Sequence, residues 1–119
     1  MKLQITKTSA LASLRKAVAG KGEDFVYEPV DPLVGCLYFD ALGMCSCIVG
    51  HVLADHGYTL DDIEKDRNNT LIWSLDHRID MTAAAKSVLS VAQRAQDHGR
   101  TWGVALMRAE EEAEEWDEE

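Results

Sequence analysis

Residues 82–98 read TAAAKSVLSVAQRAQDH, and this run decides the fold class. Ala84, Ala85, Val88, Leu89, Val91, Ala92 and Ala95 recur on one side at helical spacing. Lys86, Ser87, Ser90, Gln93, Arg94 and Asp97 fall on the other. His98 closes the last turn, and Gly99 is the expected C-terminal stop. A broad face rich in alanine predicts a central helix that neighbouring helices can approach closely.

On the C-terminal side, Thr101 can cap a final helix through Trp102, Val104, Ala105, Leu106 and Ala109. Residues 109–119 (AEEEAEEWDEE) then hold eight of the chain's 21 acidic residues and no basic one. The rest of the chain has thirteen acids against twelve bases, so the net charge of -9 belongs to an acidic tail. Like charges at Glu110/Glu114 and Glu111/Glu115, next to the carbonyl end of a helix, predict fraying past about Glu112. Trp116 on such a tail predicts docking, onto this domain or onto a partner.

On the N-terminal side, Met1 to Thr6 alternates as a short half-buried strand does. Thr8 or Ser9 can cap a helix to about Ala19, with Leu11, Leu14 and Val18 inward, Ser13 and Lys16 outward, and Gly20 and Gly22 as stops. Phe25–Glu28 and Cys36–Phe39 read as strands, joined by an extended link at Pro29 and Pro32. After a turn at Asp40–Gly43, Ser46 can cap a helix Cys47–His56 that Gly57 ends. Thr59 can cap a short helix Leu60–Lys65, a loop follows at Asp66–Thr70, and Leu71–Leu75 is assigned to a helix. The expected fold is α+β and mostly α-helical: four to five helices with a small two- or three-stranded N-terminal sheet. Residues 1–108 form one globular domain, and 109–119 form the partly frayed tail.

The 119-residue chain holds three cysteines, so its thiols cannot all pair within it, and a reduced cytoplasmic setting is expected. No apolar run reaches the roughly 18 residues of a membrane span, and Lys7, Arg15 and Lys16 interrupt any N-terminal leader. The body lacks the basic field that nucleic acid requires. A helix-turn-helix over Ser46–Arg67 would present Asp61, Asp62, Glu64 and Asp66 to the duplex, which opposes DNA contact. A calcium loop from Asp62 fails at Arg67 and Trp73, where glycine and glutamate are needed.

Two sites come from the stretch around Cys47. Cys36, Cys45, Cys47 and His51 form a candidate zinc set, although their spacing lacks the usual close ligand pair. Cys47 at a helix N-terminus, with His51 one turn on, forms a candidate thiol nucleophile and base. Three small buried thiols are the favoured reading of both, and no cofactor is assigned. Gln93, Gln96, Asp97 and Trp102 form a candidate partner-binding patch, or else a capped helix–helix corner, which is favoured.

The pattern Cys36-x-Tyr38, then Ser46-Cys47-Ile48-Val49-Gly50-His51-Val52-Leu53 with Gly57, then Gln93-x-x-Gln96-Asp97-x-Gly99-x-x-Trp102-Gly103-x-Ala105, resembles a group of small uncharacterised proteins. They are proteins of actinobacteria and their bacteriophages. The resemblance covers roughly residues 5–106 and brings no activity, cofactor or functional residue. It implies a phage-encoded accessory protein acting in the host cytosol. The expected function is non-enzymatic and works by protein–protein contact, with a host protein or a second copy as partner. The partner-binding candidates are Gln93, Gln96, Asp97, Trp102 and Trp116.

Overall fold

The computed structural model describes residues 3–28, 47–58 and 79–117. The elements expected at Cys36–Phe39, Asp40–Gly43, Leu60–Lys65, Asp66–Thr70 and Leu71–Leu75 lie outside these residues, as do Cys36, Cys45 and Ser46. In chain order the described elements are β1 (Leu3–Ile5), α1 (Lys7–Lys21), α2 (Ile48–Asp55), β2 (Ile79–Met81), α3 (Ala83–Asp97) and α4 (Trp102–Glu114). This is a mostly helical α+β fold with a two-stranded sheet.

The sheet pairs the two strands in parallel, with Leu3 opposite Ile79, Gln4 opposite Asp80 and Ile5 opposite Met81. Parallel pairing requires a crossover, and α1 and α2 lie within it. β2 is not expected from the sequence, because three residues are too few to display a period. Phe25–Glu28, expected as a strand, is irregular. Its neighbourhood satisfies a helix end instead: Trp102 N–H donates to the Phe25 carbonyl at 2.8 Å and Gly103 N–H to the Glu23 carbonyl at 2.9 Å. Both donors belong to the first turn of α4, which has no partners within its own helix.

The cap of α1 is Thr6, two or three residues before the expected Thr8 or Ser9. The chain leaves β1 extended there, and Thr6 and Ser9 bond each other's backbone N–H in a capping box. Gly20 does not stop the helix. Gly22 does, at φ 100°. Ser13, expected outward, is buried with Ala10, Leu14, Ala17 and Val18. Its hydroxyl is satisfied by Asp55, which makes the inward position tolerable. α2 begins one residue late, with Cys47 as its cap in place of Ser46. Thr82 and Thr101 cap α3 and α4 through bonds to Ala85 N–H and Val104 N–H.

The core gathers Ile5, Leu14, Ile48, Val49, Val52, Leu53, Leu89 and Trp102, all fully buried. α3 touches α1, α2 and α4, and its longest contact is with α4. Ala85 and Ala92 on α3, with Ala105 and Ala109 on α4, are fully buried, as close helix approach demands. Ala113 is also in the core, so packing continues beyond residue 108 and α4 stays helical to Glu114. The fraying expected past Glu112 is offset by these buried alanines and by bonds from α1 and α3. Among the described residues no helix is long and apolar enough to cross a membrane.

Candidate functional site

Cys47 is completely buried. Its Sγ accepts the Gly50 N–H at 3.4 Å, the weak-acceptor form of a serine-type helix cap. His51 follows one turn later and is half-buried, with its ring edge-on to Trp102 at 5.2 Å between centroids. Burial and then the Lys21 ammonium hold the His51 pKa below its ordinary value, so the imidazole is neutral at pH 7. A neutral imidazole suits a base, but the sulfur it would activate has no solvent path in this conformation. Among the described residues no three His, Cys, Asp or Glu side chains gather to hold a metal. Cys36 and Cys45 are not among them.

The corner between α3 and α4 is built inward. Gln93, Gln96 and Trp102 are 5%, 2% and 0% exposed, so they form no surface patch here. Gln96 Oε1 accepts the Ile48 N–H at 2.8 Å, and its Nε2 donates to Asp97 at 3.2 Å. Trp102 meets Phe25 edge-on at 4.6 Å between ring centroids. Its indole N–H is buried with no acceptor among the described residues. Asp97 is exposed at the turn. Although the residue is exposed overall, partial desolvation of its carboxyl raises its pKa, against the Gln96 bond and His98.

Trp116 is half-buried just beyond α4. Its indole N–H donates to Glu112 Oε2 at 3.0 Å, and the same oxygen accepts the Ser87 hydroxyl at 2.5 Å. Both bonds lower the Glu112 pKa. Lys7 Nζ donates to the Trp116 carbonyl at 2.7 Å, and Arg15 pairs with Glu110 at 3.0 Å. Glu111, Glu114, Glu115 and Asp117 remain exposed.

The side-chain cluster missed in the sequence joins α1 to α2. Asp55 accepts Ser13 Oγ at 2.6 Å and Lys16 Nζ at 2.7 Å, which lowers its pKa. His56 lies beside them, with its Nδ1 2.8 Å from the Val52 carbonyl and its Nε2 3.0 Å from Ser9 Oγ. A carbonyl only accepts, so Nδ1 carries a proton. Ser13, Asp55 and His56 thus share residue types with a hydrolytic triad without its order. The serine hydroxyl is given to the carboxylate, and the imidazole is spent on a helix end. Next to the cluster, α1 and α2 border a cleft that His51, Lys16, Lys21 and Asp55 help to line.

No family model, curated protein or solved structure matches this chain. Its chemistry is read from its own geometry. The polar groups around Ser13, Gln96 and His56 are engaged in holding helices together. Among the groups that face outward are the acidic face of α4 and the rim of the α1–α2 cleft. The only sequence signals for that cleft are Ala17 and Gly20 on one helix, and they gain meaning once α2 lies across them.

Proposed function

We propose that this chain is a small non-enzymatic accessory protein that binds another protein through the outer face of α4. One observation carries the reading: the acidic run is held as ordered helix. Ala109 and Ala113 are in the core, and Glu110 and Glu112 tie the segment to Arg15, Ser87 and Trp116. Glu111, Glu114 and Glu115 point to solvent from this fixed support, beside Met107 at 52% exposure. An exposed methionine followed along the same helix by exposed carboxylates suits a basic protein surface with an apolar centre. A second copy suits this face poorly, because a two-fold contact would set the carboxylates against themselves. The resemblance to small actinobacterial and phage proteins supports a partner in the host cytosol.

The test is a photo-crosslinker at Met107, with a control at Val26, which is 41% exposed. The captured host protein is then purified and its binding measured at two salt concentrations. A basic partner that crosslinks only from Met107 is expected. Its affinity should fall at least about tenfold in the triple variant Glu111→Gln, Glu114→Gln, Glu115→Gln. Equal capture from Val26, or affinity unchanged in the triple variant, would overturn the assignment.

A further inference from the structure

The open cleft between α1 and α2 has a volume of about 410 Å³, inside the roughly 300–1,000 Å³ usual for small-molecule sites. Ala17, Ala54 and the His51 ring line it, and its charged members are Lys16, Lys21 and Asp55. Asp55 is already satisfied by Ser13 and Lys16. Lys21 has no ion-pair partner among the described residues, and its Nζ stands 5.4 Å from the Phe25 ring centroid. The cleft therefore offers a cation in a chain whose net charge is -9.

Gly20 lies in the last turn of α1, on the border of this space. Its φ is not positive, unlike that of Gly22, Gly57 and Gly99. A Cβ built on it would meet nothing within 4 Å. Neither backbone conformation nor crowding asks for glycine at this position, where a helix prefers a side chain. Its absence of a side chain leaves the mouth of the cleft open.

We propose that the α1–α2 cleft binds a small aromatic carboxylate, with its carboxylate at the Lys21 ammonium and its ring on Ala17, Ala54 and His51. A flat ring fits apolar walls that end in an imidazole, with which it can make an edge or face contact. The downward pull of Lys21 on His51 protonation means that the positive field of this lysine reaches the wall of the cleft. The carbonyl end of α1 lies at the same mouth and favours a cation, so an ammonium probe is the decisive control. This site is separate from the outer face of α4, and neither reading depends on the other.

Benzoate is titrated into the full-length chain while the His51 ring carbons and protons are followed by NMR, and benzylamine is titrated in parallel. Benzoate should shift the His51 signals to saturation and raise the His51 pKa, whereas benzylamine should not. Lys21→Gln should weaken benzoate about tenfold. Gly20→Leu, which fills the mouth and favours the helix, should abolish binding while leaving the melting temperature equal or higher. The proposal is overturned if benzoate gives no saturable shift, if benzylamine binds equally, or if folded Lys21→Gln and Gly20→Leu both bind benzoate as the parent does.

Discussion

The Gln96 side chain of α3 caps α2: its Oε1 accepts the Ile48 backbone N–H at 2.8 Å, and both residues are buried. The first N–H groups of a helix have no partner within it, so a buried helix start needs an acceptor from elsewhere. Gln96→Leu keeps the volume and removes the acceptor. A loss of about 1–3 kcal/mol in urea unfolding is expected from the stranded donor. A loss below a few tenths would mean that another group takes over the cap.

Two glycines should respond in opposite ways to alanine. A Cβ on Gly103 would lie 2.9 Å from the Glu23 carbonyl oxygen, which itself accepts the Gly103 N–H. Backbone must move to admit it, so Gly103→Ala should destabilise by roughly 1–3 kcal/mol. Gly20 has open space at the same atom, so Gly20→Ala should stabilise by about 0.5–1 kcal/mol. Thermal melts of the two variants decide the signs.

Acid should weaken the fold in two stages. The folded-state pKa of His51 is below its ordinary 6.5, so the unfolded chain takes up more protons as pH falls through that value. Stability therefore drops from about pH 6.5 downward, and the difference between the parent and His51→Gln isolates this part. Asp55 and Glu112 are also depressed, from 3.8 and 4.5. Their contributions are present above those values and are lost as pH falls through the lower folded ones. Asp97 is raised and acts in the opposite sense, favouring the folded state on acidification. Urea midpoints from pH 8 to pH 3 on the parent, His51→Gln and Glu112→Gln would show these slopes.

Lys7 holds the end of α4 through the Trp116 and Ala113 carbonyls at 2.7 and 3.4 Å. Lys7→Met should speed amide exchange at residues 113–117 and shift Trp116 fluorescence to the red. The global cost should stay below about 1 kcal/mol, because the bonds are partly exposed. Unchanged exchange would show that the buried alanines alone hold the segment.

The rival reading of a thiol centre makes a kinetic claim about Cys47. With its sulfur buried and acting as a helix cap, Cys47 should react with a thiol reagent only at the rate of local opening. Denaturant should accelerate it. Rapid native modification, suppressed in His51→Gln, would revive the Cys47–His51 nucleophile.

Much of the fold was legible because the deciding signals are local. The 82–98 run announced α3, Thr101 announced the cap of α4, and Gly57 and Gly99 adopt the left-handed conformations expected of helix stops, at φ 88° and 80°. Such features depend on a residue's own backbone preferences and on the spacing of its near neighbours. A helix–helix corner at Gln96 and Trp102 was expected, but not the group that Gln96 serves: it accepts the Ile48 N–H at the start of α2, forty-eight positions away, rather than a backbone group of the turn.

What the tertiary structure alone decided involves partners distant in sequence. Ser13 is inward because Asp55 accepts its hydroxyl across forty-two positions of chain. Phe25 is no strand because its carbonyl serves Trp102, and β2 exists because β1 offers a ladder to three residues with no period of their own. The acidic segment stays helical because Ala109 and Ala113 find a core and Glu112 finds Ser87, gains that outweigh like-charge repulsion. Periodicity along one helix states which side is apolar. Which polar groups also go inside depends on the acceptors that other elements bring to them, and those are set only when the helices meet.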